Sequence, residues 1–408
     1  MSNTEERIGF FTFLFLWFGA AVSIAEILTG GLIAPLGFKA GLVVILIGHL
    51  IGVSIFVMGG IIGTREKIPA ITSTSISFGV YGSYLFSILN VLQLIGWTAV
   101  MIKSAANSVN LITKSLWNFD NFIICCIVIG LLTAIWIWFG KSGMKKLNNT
   151  AVILLFILTL VMGAVIFKDA SLFTKKGSGT ISIGGALELN IVMPLSWLPL
   201  IADYTRFAKT EKQGAFGSFL GYMLGSSWMF IIGLGAAIVS NNADPSAMML
   251  AANLGVATLG IVVLSTITTT FMDVYSAGVS FLNIVPKFSE RNIGVVMAFI
   301  GTVLAVIFPI ENYEGFLYAI GSVFAPLFAI LITDYFVIKK NTKLQENVLV
   351  NWGALVVWII GVILYYVFIK FDLILGATVP VMIITGLIYT LCWKGINKWK
   401  LVKKSQNY

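Results

Sequence analysis

The chain holds 408 residues, of which 58% are apolar and 11% charged, against roughly 25% charged in an ordinary soluble domain. Its mean hydropathy is +0.98 and its formal charge is +9. These values exclude a soluble enzyme, a disordered chain and a disulfide-stapled secreted scaffold; since one bilayer span needs about 20 apolar residues, they predict an all-α polytopic membrane protein.

In chain order, hydropathy predicts twelve spans at residues 10–34, 40–62, 84–107, 121–140, 149–167, 186–207, 214–239, 256–285, 294–309, 313–338, 352–368 and 373–393. No soluble insertion separates them, so residues 1–408 read as one membrane domain. The first apolar run starts at Phe10 and lacks a small-residue cleavage site, which makes it a retained span and not a signal peptide. With the N-terminus inside, the cytoplasmic segments carry 19 Lys and Arg; the outer segments carry 6, namely Lys39, Lys114, Lys168, Lys175, Lys176 and Lys370. That bias predicts an integral protein of the cell membrane with both termini cytoplasmic. The basic tail from Lys394 reads as an inside-facing charge run. Cys125, Cys126 and Cys392 all lie in apolar runs, without the number or spacing for a disulfide framework or a metal site.

Spans one and six depart from simple apolar rods. Span one places Gly19, Ala20, Ala21, Ser23 and the carboxylate of Glu26 at mid-membrane. Span six carries Pro194 and Pro199, which remove two helical donors and favour a break. Lipid cannot satisfy freed backbone groups, so a break survives only where protein or an aqueous cavity does so. Two interruptions five spans apart point to a five-plus-five inverted repeat with a binding site at the breaks. The repeats would be 10–167 and 186–338, followed by two additional helices over 352–393. Ala202-Asp203-Tyr204 and Thr333-Asp334-Tyr335 form a weaker echo of the same repeat. Glycine and proline also serve plain packing in membrane helices.

Ionisable residues at membrane depth are Glu26, Lys103, Asp273 and His49. Glu26 and Asp273 could bind a cation, carry a proton or accept from a substrate amino group, or one of them could pair with Lys103. His49 reads as a packing histidine. In span eight, Ser265, Thr268 and Thr269 share one helical face. Their hydroxyls, with carbonyls freed near Gly19 and Val22, offer the oxygen ligands that a sodium ion wants. Span three aligns Asn90, Gln93 and Trp97 on one face. Amides beside an aromatic plate suit a flat polar heterocycle, with Ser196 and Trp197 at the span-six break completing the substrate site. Interhelical hydrogen bonding and aromatic packing would produce the same pattern. Gly140-Lys141-Ser142 lacks the partner glycine of a phosphate-binding loop, and no reactive cluster suggests an enzyme.

The segments Trp17-Phe18-Gly19 through Thr29-Gly30-Gly31, Ser77-Phe78-Gly79-Val80-Tyr81-Gly82-Ser83, Gly96-Trp97, Asp203-Tyr204-Thr205-Arg206-Phe207 and Tyr275-Ser276-Ala277-Gly278 occur in this order across the chain. Together they resemble the nucleobase:cation symporter-1 family, in particular its cytosine permease and hydroxymethylpyrimidine transporter branch. The resemblance implies a leucine-transporter-like fold of twelve helices with discontinuous helices one and six. It also implies symport of a nucleobase-like ring, typically with Na+ and in some members with protons. For this chain we expect import of a pyrimidine-type ring with Na+ as coupling ion, and no other cofactor, no nucleic acid and no obligatory protein partner. The implied sodium ligands are the carbonyls of Gly19, Val22 and Ser265 and the hydroxyls of Thr268 and Thr269, and the implied stacking residue is Trp97. Trp197 sits closer to the Asp-aromatic-x-Arg motif than the family's span-six aromatic does. Glu26 and Asp273 stand where neutral residues are expected. The alternatives are a proton-coupled carrier of a purine, amino acid or polyamine on the same fold, a channel, or a membrane enzyme.

Overall fold

The first span is helical as expected and breaks where its small residues end. In the computed structural model, which describes residues 7–139, 150–240 (without 151–152, 155, 158 and 165), 255–307, 313–338 and 347–402, α1 (Phe10–Ala21) and α2 (Ile24–Leu32) meet at Val22 and Ser23. Both of those residues leave the helical conformation (Val22 φ −77°, ψ 80°; Ser23 φ −141°, ψ 161°). The axis turns by 60° there. The Ser23 hydroxyl restarts the helix by accepting from the Glu26 N–H at 3.4 Å, the usual service of a serine N-cap.

Span two is α3 (Phe38–Glu66), closed by Lys67 in the left-handed conformation. The turns α4 (Ala70–Ser73) and α5 (Ser75–Phe78) lead into α6 (Val80–Trp117). Hydropathy placed this third span at 84–107, but the helix runs for 38 residues, about 57 Å at 1.5 Å per residue. Its ends are polar helix outside the roughly 30 Å hydrocarbon core, which an apolarity criterion does not detect. After α7 (Phe122–Phe139) comes span five, described only in part, with 159–164 helical. The short α8 (Ser171–Thr174) precedes α9 (Ile183–Ser196) and α10 (Leu198–Thr205). The remaining helices are α11 (Glu211–Ser240), α12 (Gly255–Leu282), α13 (Glu290–Ile307), α14 (Tyr313–Ile332, continued by a π turn over Thr333–Ile338), α15 (Trp352–Phe368) and α16 (Thr378–Ile396). The loop lysines Lys141, Lys145, Lys146, Lys339, Lys340, Lys343, Lys403 and Lys404 lie outside the described residues, as do the side chains of Ser265 and Thr268.

Span six is interrupted more gently than span one. A single residue, Trp197, separates α9 from α10, and Ile183–Thr205 continue as one 23-residue span. Each proline lacks an N–H, so the chain tightens locally: the Trp197 N–H bonds Pro194 O at 3.2 Å, and Leu200 N–H bonds Trp197 O at 3.0 Å.

Helix α11 packs on α1, α2 and α3, while α6 packs on α12 and α13. The contact of α2 with α11 is backbone on backbone. A Cβ on Gly30 would sit 2.3 Å from Phe230 O, and one on Gly233 would sit 1.9 Å from Ile27 O; such close approach is what small residues contribute in membrane bundles. The tail carries structure that hydropathy does not predict. Lys400–Val402 (β2) pair antiparallel with Val348–Asn351 (β1), so the basic run is partly an ordered ribbon, because its neighbours Leu401 and Val402 supply strand residues that hydropathy windows overlook.

Candidate functional site

The break in span one determines which carbonyls are released. In an unbroken helix the N–H of Ser23 would close on Gly19 O, and that of Glu26 on Val22 O. Here Ser23 N–H is diverted to Ala21 O at 2.9 Å and Glu26 N–H to the Ser23 hydroxyl. The two carbonyls singled out in the sequence are among those whose helical donors turn away. Helix α1 touches α12 only at its margin; α12 carries Thr269, buried at 4% exposure. The side chains of Ser265 and Thr268 are outside the described set. On the same helix the buried hydroxyls of Thr266 and Thr270 have no hydrogen-bond partner among the described residues, although Thr in helices commonly bonds back to its own preceding turn.

The Asn90, Gln93 and Trp97 face of α6 is buried as a unit. Asn90 Nδ2 donates to Ser280 Oγ of α12 at 2.8 Å. Gln93 Nε2 donates to Asn90 Oδ1 at 3.2 Å and to the backbone carbonyl of Ser196 at 2.8 Å. That carbonyl is available because Leu200 N–H, its helical donor, bonds Trp197 O instead. A carbonyl only accepts, so the bond fixes which end of the Gln93 amide faces the break. Gln93 Oε1 is left buried with no hydrogen-bond partner among the described residues. The Ser196 hydroxyl bonds back to Met193 O at 2.6 Å.

The two predicted aromatic plates have different neighbours. Trp97 meets Tyr313 and Phe316 edge-on, at 6.1 and 5.4 Å between ring centroids. Trp197 meets Trp17 edge-on at 5.9 Å, within a group that also includes Tyr204 and Phe56. Asp273 is buried on α12. Lys103 holds its ammonium 5.2 Å from the centre of the Phe122 ring. Glu26 goes elsewhere: Tyr222 Oη donates to its Oε1 at 2.8 Å and Ser226 Oγ contacts its Oε2 at 2.6 Å. The structure therefore brings Glu26 to α11 and His49, and brings Asn90 and Gln93 to span six.

One buried carboxylate, Glu188, escaped the sequence reading. Glu188 accepts from the Tyr365 and Thr378 hydroxyls, both at 2.6 Å, and from the Ala377 and Thr378 N–H groups at 2.7 and 2.8 Å. It ties α9 to the start of α16, and its charge within an apolar run was the available signal. Asp203 accepts from Ala70 N–H at 3.0 Å, and Asp334 from the Ser77 hydroxyl at 2.8 Å. The paired Asp-Tyr echo thus anchors the two ends of the α4–α5 segment.

Comparison with known proteins agrees with this geometry. Residues 3–391 match the family described as permease for cytosine/purines, uracil, thiamine, allantoin. The cytosine permease of Escherichia coli (strain K12) is 27% identical over 365 residues, covering 87% of this chain and 85% of that protein. The allantoin permease of Bacillus subtilis (strain 168) is 22% identical, covering 85% and 79%. Among solved structures, Mhp1, a nucleobase-cation-symport-1 family transporter in a closed conformation with bromovinylhydantoin bound, superposes with a TM-score of 0.84 at 17% identity, over 99% of this chain and 98% of that one. A substrate-bound outward-open Na+-coupled sialic acid symporter gives 0.69 at 15% identity, over 95% and 90%. The fold is the leucine-transporter-like fold that the family resemblance implied, and the protein is an integral membrane transporter, not an enzyme. From near its first residue to the end of its last span, the chain belongs to the nucleobase-cation-symport-1 family of permeases.

Proposed function

We propose that the protein imports a pyrimidine-type nucleobase or precursor, cytosine or the thiamin precursor hydroxymethylpyrimidine, together with Na+. The repeats 10–167 and 186–338 would rock around the site in alternating access, with both termini in the cytoplasm. One observation carries the substrate reading: the orphaned Oε1 of Gln93 is a buried acceptor one helical turn from the Trp97 ring. An aminopyrimidine supplies what is missing, an N–H donor on the edge of a stackable ring. Leaving such an acceptor unmatched costs about 1–3 kcal/mol, so a planar ring with a donor is favoured over one without. Asn90, Ser196 and Trp197 would complete the pocket, and Asp273 would take a ring amine. Glu26, whose oxygens are held by α11, would act on the substrate only indirectly. The similarity to a cytosine permease supports the substrate class.

Sodium is supported by the diverted donors at Gly19 and Val22, with Thr269 buried on α12. Replacing Thr269 by alanine removes one oxygen ligand. The half-saturating Na+ concentration for uptake should rise by roughly tenfold, equivalent to about 1.4 kcal/mol, while any pH dependence stays as it was. An unchanged Na+ requirement would remove Thr269 from the site.

A thermal-shift panel on the purified protein tests the whole reading. Ligands that bind only the folded state stabilise it by about 2.7 kcal/mol at a hundredfold excess over Kd. Cytosine or hydroxymethylpyrimidine should raise the melting temperature more with Na+ than without, and amino acids should not raise it. Protection by amino acids or polyamines alone would replace the substrate class. Protection that ignores Na+ but follows pH would replace the coupling ion.

A further inference from the structure

Glu26, Ser226 and His49 belong to α2, α11 and α3 and form a continuous chain of contacts. Ser226 Oγ lies 2.6 Å from Glu26 Oε2 and 2.6 Å from His49 Nε2. Each contact of that length needs a hydrogen between its heavy atoms. The serine hydroxyl supplies one. His49 Nδ1 lies 2.9 Å from Ile45 O, and a carbonyl can only accept, so one imidazole hydrogen is committed to Nδ1. Tyr222 donates to the other carboxylate oxygen, Oε1, and cannot fill the gap. The second hydrogen must therefore sit on Glu26 Oε2 or on His49 Nε2.

Those two placements have the same composition. In one, a carboxylic acid donates to Ser226, whose hydroxyl donates to a neutral imidazole. In the other, Nε2–H donates to Ser226, whose hydroxyl donates to a carboxylate. Passing the Oε2 proton to Oγ while the Oγ proton moves to Nε2 converts the first into the second, with no net change in atoms or charge. We propose that Glu26, Ser226 and His49 form a buried site for one proton, and that this proton holds the half-helix α2 against α3 and α11. If it is removed, Ser226 has one hydrogen for two acceptors, and the trio carries an uncompensated negative charge at membrane depth, which is costly. Releasing α2 from its neighbours relieves both faults, so proton binding and the position of α2 are coupled.

The groups on the surrounding helices do not supply the missing hydrogen. Asn190 of α9 is uncharged: its Nδ2 donates to Ala186 O at 2.7 Å, and towards the His49 ring it presents an acceptor, with no proton to give. Glu188 on the same helix is engaged by Tyr365, Ala377 and Thr378. Tyr313 of α14 shares a hydrogen bond with Thr29 at 2.8 Å. Lys103 of α6 directs its ammonium at the Phe122 ring.

The chain has one histidine, so the full-length protein labelled with 15N-histidine in lipid nanodiscs reports on His49 alone. Raising the pH should carry the wild-type imidazole through one transition in which Nε2 loses its shared hydrogen while Nδ1 keeps its own. In Glu26→Gln, whose amide has no proton to pass on, the transition should vanish or move by more than about one pH unit, a tenfold change in proton affinity. Ser226→Ala should uncouple the pair, so that adding Glu26→Gln to it changes nothing further at His49. If Glu26→Gln does not fold, the Ser226→Ala comparison with wild type decides alone, because loss of the bridging hydroxyl must shift the His49 transition. The same His49 titration in wild type and Ser226→Ala, or a bare Nε2 at every pH in wild type, overturns the site. The readout needs neither Na+ nor a transported substrate, so its failure and that of the sodium-coupled nucleobase reading are independent.

Discussion

Gly233→Ala should yield a protein that melts well below wild type or does not accumulate as a monodisperse species. The new Cβ would sit 1.9 Å from Ile27 O and 3.0 Å from Gly31 N, both backbone atoms. A side chain in the way can change rotamer; a helix backbone can only be pushed bodily. Ordinary overpacking costs about 1–3 kcal/mol, and the absence of any yielding atom places this site at the upper end. Gly30→Ala meets Phe230 O at 2.3 Å from the opposite side of the same contact and should behave alike. Gly315→Ala is the control: nothing lies within 4 Å of its Cβ, and an alanine in a helix gains about 0.5–1 kcal/mol over glycine. Thermal unfolding of the three variants checks the ranking. A Gly233→Ala protein as stable as Gly315→Ala would mean that α2 and α11 are not in backbone contact.

Gln93→Leu should lower the affinity for cytosine by about 5- to 150-fold, the equivalent of 1–3 kcal/mol for a lost buried partner. The substitution removes the donor to Ser196 O and the acceptor Oε1 together, while roughly keeping volume. A ring analogue without its amino group separates the two losses. If Oε1 reads the substrate, the analogue should bind wild type and variant with similar affinity, and only cytosine should discriminate. Equal losses for both ligands would reduce Gln93 to a strut for the span-six break. Equilibrium binding in saturating Na+ makes the comparison.

The parts of this protein that could be read from its sequence are those governed by the bilayer or by local backbone chemistry. Hydrocarbon cannot hydrogen-bond a peptide group, so each apolar run had to be helical; the small residues and Ser23 fixed where span one breaks. The common face of Asn90, Gln93 and Trp97 follows from helical periodicity alone. The polar ends of α6 were invisible to hydropathy because they lie outside the hydrocarbon. The sequence leaves Glu26 open to a cation, a proton or a substrate amine; packing brings its oxygens to Tyr222 and Ser226, some 200 residues away. Likewise Trp197 turns to Trp17, while Trp97 meets Tyr313 and Phe316. Composition and periodicity determined that the chain crosses the membrane as helices, where it is weak and which faces are polar. Tertiary packing alone decided which polar faces meet, since one residue along a helix turns a side chain by about 100° and only the rotation and depth of neighbouring helices select its partner.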